Sequence, residues 1–452
     1  MSVSTMRENR IPGLAIALVD EKGPLWEEGF GFADDARSVP VTPDTRFSIQ
    51  SMSKTFAAVA VLAAVQEGLL NLDEPISTYL PDYRVNSIFE EQPLHRITLR
   101  HLLTHTAGFT HEAPLGNNFT AGTPSFDDHV TSIQDTWLKF PVGQREAYSN
   151  LGIDLAGYLL ESVRGRPFVE VMNATVLAPL GLDRTTDDDE VILADTRRAV
   201  GHRLGVESVP VITPMLAAGG MWSTAHDLGR FVQFMLQEGR GGGPLSPQSF
   251  EELRTTANGG SFGLGVAYGR MDDGDLYLNH GGGGFGFQTR MEWYPTLGVG
   301  VVVLTNTTNN HNPQSTLAHR LISTMEKRRL VTKRFSLTSE PVCGIDIRGA
   351  KNIPAYFLDH PEQTAWRPEW SHYLGKYSLS IDAETLWWAK LALSLGYLRD
   401  SRVKVAHDGS GITLDGSLMI EAEPGLFFTS DGEALDFRGA VPTWRSIPLT
   451  RR

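Results

Sequence analysis

A chain of 452 residues is too long for one ordinary core, and its 41% hydrophobic content is enough to fill two. The formal net charge of −13 argues against a nucleic-acid or anionic-membrane surface, and the single cysteine, Cys343, excludes an internal disulfide and any dependence on an oxidising compartment. The longest apolar run, Phe56 to Val65, falls far short of the roughly 20 residues of a spanning helix, and the polar opening "MSVSTMRENRIPG" lacks a signal-peptide pattern, so a cytoplasmic protein with no membrane or nucleic-acid partner is expected.

Two short apolar or alternating segments, "GLAIALVD" from Gly13 and Leu25 to Phe32, flank a Lys22-Gly23-Pro24 break and predict a hairpin. The stretch "SMSKTFAAVAVLAAVQEG" is apolar on nearly every side and ends at Gly68, which predicts a buried helix closed by a C′ glycine. Helical periodicity returns at Leu151 to Val163 and at Asp227 to Leu236, the second opened by Thr224 and Asp227. Strand patterns follow in "FGLGVAYG", "DLYLNH", "GFQTRMEWY" and "GVGVVVLTN". Strands, then helices, then strands predict an α/β (α+β) sandwich: a sheet whose first and last strands meet, covered by helices. From about Val331 to Arg367 periodicity is lost, and beyond Tyr373 alternating segments with Asp408-Gly409, Asp415-Gly416 and Asp431-Gly432 turns predict a small β domain. The expected division is a main domain over 1–326, a linker over 327–370 and a β domain over 371–452.

Chemistry concentrates at "QSMSKTF". Ser51 and Lys54 stand three apart at a helix start, where side chains at i and i+3 share a face. A serine hydroxyl becomes nucleophilic when a neighbouring base takes its proton, and a lysine beside apolar surroundings is suited to that role. The alternative is an N-cap serine with a snorkelling lysine. Ser-x-x-Lys alone is common, and a second copy at Ser401 and Lys404 lies in a strand-like segment where residues three apart face opposite sides. A phenol to share the base role is available at Tyr148, with Ser149 and Asn150, just before a helix; a rival Tyr277-x-Asn279 sits in a strand, and spacing does not separate the two. A strand ending at His280 runs into Gly281 to Gly284, where backbone can come close to a ligand and offer an N–H to an oxyanion.

Taken in order, Ser51-x-x-Lys54, Tyr148-x-Asn150 and His280-x-Gly282 resemble the three active-site motifs of the serine β-lactamase and penicillin-binding-protein superfamily. The stretches "LLTHTAGF", "AYSNLGIDLAGYLLE", "LAPLGLDRT", "AAGGMWSTAHDLGRF" and "GVGVVVLTN" extend the likeness to class C β-lactamases and their esterase, D-aminopeptidase and DD-peptidase relatives, over roughly Ile11 to Met325. The segment opening with "YLGKYSL" is similar to the lipocalin-like β domain that some members append. The resemblance implies that Ser51 attacks and becomes acylated, that Lys54 and Tyr148 share the base role, and that Asn150 orients Lys54 or a substrate amide. It places His280 and Gly282 beside an oxyanion hole whose donors are the N–H groups of Ser51 and Gly283, and it implies no cofactor.

This sequence departs from the family pattern in two places. Many relatives have lysine where His280 stands, and a histidine mostly neutral at pH 7 supplies less fixed charge for a substrate carboxylate. The family's amino-terminal helix is expected to be short, because only about ten residues precede "IPGLAIAL". Other candidates read as structural: Ser261 of Gly259-x-Ser261-x-Gly263 as a turn residue, His101 and His105 as hydrogen-bonding groups, and Asp187 to Asp189 as a solvated loop. The expected activity is cofactor-free hydrolysis of an ester or D-residue amide of a small molecule or short peptide through an acyl-enzyme. Peptidoglycan-type peptidase or amidase activity ranks second and β-lactam hydrolysis third. The rivals from another class are a silent binding protein of this fold and an acyltransferase.

Overall fold

The computed structural model describes residues 2–34, 36–117, 124–202, 210–308, 312–348, 367–379, 402–407, 412–415, 417–445 and 447–451. Ser401, the Asp408-Gly409 turn and residues 349–366 of the expected linker lie outside them. Two compact units result. The first comprises 1–72, 156–257 and 261–343, and the second 73–155, 258–260 and 344–452.

In the first unit the expected hairpin forms: β1 (Gly13–Asp20) and β2 (Gly23–Asp34) are joined by a turn in which the Asp20 carboxylate accepts the N–H groups of Lys22 and Gly23. With β3 (Val39–Pro40), β4 (Ala267–Arg270), β5 (Leu276–Gly284), β6 (Phe287–Tyr294) and β7 (Val299–Thr305) they make a seven-stranded sheet in the order β3-β2-β1-β7-β6-β5-β4. The first and last long strands do meet, pairing antiparallel from Leu14↔Thr305 to Asp20↔Val299. Strand β7 reads as a continuous apolar run because both of its faces are covered. Leu14, Ile16, Val301 and Val303 pack with Leu317 and Ile322 of one helix, Pro313–Lys327, while Ala17 and Val19 of β1 lie against Gly229 of another, Ala225–Gln237. The amino-terminal helix is short, Ser2–Asn9.

The buried helix predicted after residue 50 is α1 (Ser53–Gln66), with twelve buried residues and Phe56 stacked on Phe231 at 3.8 Å. It closes as expected at Gly68: the N–H groups of Gly68 and Leu69 bond the carbonyls of Val65 and Ala64, a Schellman arrangement. Such a helix is apolar all round because it runs through the interior, and no helix among the described residues is long and apolar enough to cross a membrane.

The second unit joins the helical stretch 73–155 to the carboxy-terminal β domain. The latter closes into a barrel of eight antiparallel strands from Gly375–Leu379 to Ile447–Arg451, around a core that includes Trp370, Tyr377, Met419, Phe427 and Leu435. Its inward alternation is what the late sequence pattern signalled. A short strand, Val342–Asp346, forms inside the stretch expected to be a linker.

Candidate active site

Ser51 lies one step earlier in the fold than a helix start. It occupies a 3₁₀ turn, Gln50–Met52, that runs straight into α1. With three residues per turn, positions i and i+3 eclipse, so Lys54 comes to lie directly over Ser51. The Lys54 side chain is 0% exposed, and its Nζ is 3.1 Å from the Ser51 Oγ and 2.7 Å from the carbonyl oxygen of Ala218. Ser51 itself is partly accessible, whereas the residues that follow it are buried.

The capping alternative fails on geometry. Met52, not Ser51, is the N-cap of α1, and no side chain caps that end. Ser53 does the structural work: its hydroxyl donates to the Gln50 carbonyl at 2.7 Å and accepts the Met221 N–H at 3.2 Å. Gln50 holds φ +52°, a left-handed conformation that costs a non-glycine residue on the order of 1 kcal/mol or more. The strain is carried next to the Ser51 hydroxyl, and the Gln50 amide is tied to the Ser48 Oγ at 2.5 Å.

Strand β5 continues through the glycine run instead of ending at His280, pairing with β6 as far as Gly284↔Phe287. A Cβ on Gly282 would sit 2.1 Å from the Ile49 carbonyl oxygen and 2.3 Å from the Thr289 Oγ1, so only glycine lets this strand pass the turn that carries Ser51. At the exposed Gly283 a side chain would meet nothing within 4 Å, so open space adjoins the strand there.

His280 is 4% exposed, and its Nδ1–H donates to the Gly281 carbonyl at 2.8 Å, which leaves Nε2 as an acceptor. Burial, with the Lys54 cation adding to it, pushes the ring's pKa down to about 3. His280 is thus neutral throughout the ordinary pH range. A histidine whose folded pKa is lowered binds its proton more readily in the unfolded chain, so it contributes stability that is present above about pH 6.5 and is lost as the pH falls towards 3. Urea titrations at pH 4, 5, 6 and 7 should show wild type gaining stability over His280→Asn across this range, on the order of a few kcal/mol, and the difference should be flat above pH 7.

Tyr277 is placed elsewhere. It packs with Leu317 and Ala318 on the face of the sheet turned away from Ser51, stacks on Tyr294 at 4.9 Å, and its hydroxyl is 2.7 Å from the His319 Nε2. Asn279 donates to the Ala267 carbonyl.

Tyr148 and Asn150 belong to the second unit. Asn150 is the first residue of α2 (Asn150–Arg164), not part of the preceding loop, and is 7% exposed. His105, within "LLTHTAGF", and Thr110, the residue just after that stretch, hold their turn. The Tyr148 ring lies 4.5 Å from that of His105, whose Nδ1 accepts the Ser149 N–H at 3.3 Å and whose carbonyl accepts the Ala147 N–H at 2.8 Å. The Ser149 hydroxyl donates to the Thr110 carbonyl at 2.6 Å. His101 likewise has a structural role, its Nδ1 lying within hydrogen-bonding distance of the Thr98 N–H in a capping box.

A further expectation is overturned. The Asp187 to Asp189 segment is not a solvated loop, because Asp187 is 2% exposed and burial, with Asp188 and Asp189 nearby, pushes its carboxyl up to about 7. Asp188 instead caps a helix, accepting the N–H groups of Glu190 and Val191. The elbow-like Ser261 stands between two strands, where no helix follows. The sequence gives no warning of the Ala218 carbonyl that holds Lys54 or of the left-handed Gln50, since backbone groups and dihedrals carry no side-chain signature.

A serine and a buried lysine at the head of a central helix, beside the glycine-rich edge of an antiparallel sheet, define a β-lactamase/transpeptidase fold. The β-lactamase family model matches residues 3–325, and the chain belongs to that family. It is 24% identical over 337 residues to protein flp of Staphylococcus aureus (strain COL), covering 73% of this chain and 66% of that one. To the unguisins hydrolase ungD' of Aspergillus campestris it is 30% identical over 348 residues, covering 70% and 63%. The chain thus spans about two thirds of the length of these curated relatives. Among solved structures it is similar to the octameric penicillin-binding protein homologue from Pyrococcus abyssi, with a TM-score of 0.63 and 20% identity over 99% of this chain and 98% of that one. It is also similar to a β-lactamase/D-alanine carboxypeptidase from Pseudomonas syringae, with a TM-score of 0.61 and 25% identity over 71% and 96%.

Proposed function

We propose that the protein is a serine hydrolase that cleaves an ester or amide bond of a small molecule or short peptide through an acyl-enzyme on Ser51. The observation that carries this reading is the wholly buried Lys54 amine, 3.1 Å from the Ser51 hydroxyl. In this mechanism the Ser51 Oγ attacks the carbonyl as its proton passes to the base formed by Lys54 and Tyr148. The C–O or C–N bond then breaks as the leaving group takes that proton, and water repeats the sequence to release the acid. Asn150 orients Lys54 or a substrate amide, and the N–H groups of Ser51 and Gly283 receive the oxyanion.

The neutral His280 sets the order of substrates. A ring without charge offers a substrate carboxylate no ionic partner, which favours esters and D-residue amides over penicillins. D-aminopeptidase or DD-peptidase activity is the second reading, favoured by the likeness to the Pseudomonas syringae protein.

A panel of p-nitrophenyl acyl esters, D-amino-acid amides, D-Ala-D-Ala peptides and nitrocefin tests both readings. Turnover should be fastest on the first two classes. Tyr148→Phe should lower it by about 10²-fold or more, while Tyr277→Phe should keep it. Loss of activity in Tyr277→Phe alone would reverse the assignment of the phenol. Absence of turnover on every substrate would favour a binding protein, and acyl transfer to an added alcohol without hydrolysis would favour an acyltransferase.

A further inference from the structure

The carboxy-terminal barrel reaches the Tyr148 segment through one buried carboxylate. Glu433 is 3% exposed, and its Oε1 accepts from the Lys139 Nζ at 2.8 Å while its Oε2 accepts from the Thr110 hydroxyl at 2.8 Å. The carbonyl of the same Thr110 accepts the Ser149 hydroxyl at 2.6 Å, and the Ser149 Oγ in turn accepts the Leu151 N–H at 3.1 Å, at the start of α2. Two bonds therefore lead from the barrel through a single threonine to the middle residue of Tyr148-Ser149-Asn150, and a third continues to Leu151.

The contact is built, not incidental. Glu433 ends a barrel turn that docks on Lys139: Gly432, at φ +91°, comes so close that a Cβ would lie 2.1 Å from the Lys139 carbonyl oxygen. Lys139 is fixed in turn by its own N–H on the Gly108 carbonyl at 2.7 Å. Trp137 meets Phe428 in a T-shaped pair at 6.1 Å, and the Arg438 guanidinium lies over the Trp137 ring at 5.0 Å. Burial opposes ionisation of Glu433, yet the Lys139 and Arg445 cations and the Lys139 and Thr110 hydrogen bonds hold its carboxyl down at about 2. A buried ion pair adds little net stability compared with apolar packing but can fix one geometry among several. Apolar contact alone would dock the barrel. A carboxylate that must satisfy both Lys139 and Thr110 sets where Thr110 stands.

We propose that Glu433 is a positioning residue that holds the Tyr148-Ser149-Asn150 turn in place through Thr110. Its effect on catalysis rests on the serine-hydrolase reading, whereas its effect on the turn does not. The barrel is thereby a working part of the proposed site.

Hydrogen exchange followed by mass spectrometry on the full chain, together with p-nitrophenyl acetate kinetics, tests this in wild type, Glu433→Gln, Thr110→Val and the double variant. Thr110→Val keeps the Glu433–Lys139 pair and serves if Glu433→Gln does not fold. Exchange in a peptide spanning 147–151 should rise by about fivefold, the equivalent of one hydrogen bond of ordinary net strength. The kcat should fall about tenfold or more with little change in KM, as expected for a misplaced catalytic group, and the double variant should lose no more than the worse single one. Unchanged exchange at 147–151, a looser turn with wild-type kcat, or additive losses would each overturn the proposal. If wild type hydrolyses no substrate, the hydrolase reading fails and the exchange data alone decide whether Glu433 holds the turn.

Discussion

Ser51→Ala should abolish ester turnover, by about 10⁴-fold to 10⁶-fold in kcat, and should leave the thermal midpoint close to that of wild type. The size of the expected loss follows from the proposed chemistry, in which the acyl-enzyme would have no other oxygen on which to form. The stability expectation follows from the surroundings. Ser51 is partly accessible and caps no helix end, while Lys54 retains the Ala218 carbonyl at 2.7 Å. The substitution therefore removes one hydroxyl without creating a cavity. Circular dichroism and p-nitrophenyl acetate hydrolysis on the same preparation separate the two effects.

Lys54 has the second largest expected effect, and here two losses must be kept apart. On the proposed mechanism, removing the amine should remove general-base assistance, typically worth about 10²-fold to 10⁴-fold in rate. Lys54→Ala also empties a site that is 0% exposed and removes the hydrogen bond to the Ala218 carbonyl, which should destabilise the fold by about 2–5 kcal/mol. Lys54→Met fills most of the volume with an apolar chain of similar length. It should regain part of the stability without recovering the rate. Denaturant titrations and kcat measured on both variants check this, and a Lys54→Met enzyme with near wild-type kcat would remove Lys54 from the base role.

The residues behind both expectations are legible in the sequence because they stand at fixed local spacing. A long run apolar on nearly every side located α1, short apolar or alternating runs located the strands of the main sheet, and turn glycines marked the end of α1 and breaks between strands. Details set by backbone were not legible. The 3₁₀ turn at Gln50–Met52, the left-handed Gln50 and the passage of Gly282 against Ile49 arise from tertiary packing that no window of sequence contains. Asp187 was misread for a related reason: three consecutive carboxylates look like a solvated run, but only burial in the folded chain distinguishes Asp187 from the capping Asp188. The choice between Tyr148 and Tyr277, open on spacing, narrows once Tyr277 is placed on the far face of the sheet with His319. The grouping of 73–155 with the barrel had no local signal at all, because Glu433 and Thr110 are 323 positions apart.

The most direct test of the whole account is peptide-mapping mass spectrometry of the protein quenched in acid during turnover of a slowly deacylating p-nitrophenyl ester. One acyl group should appear on the peptide containing Ser51, accumulate more slowly in Lys54→Met, and be absent from Ser51→Ala. An acyl group on another residue, or a Ser51→Ala protein that still hydrolyses the ester at the wild-type rate, would contradict it.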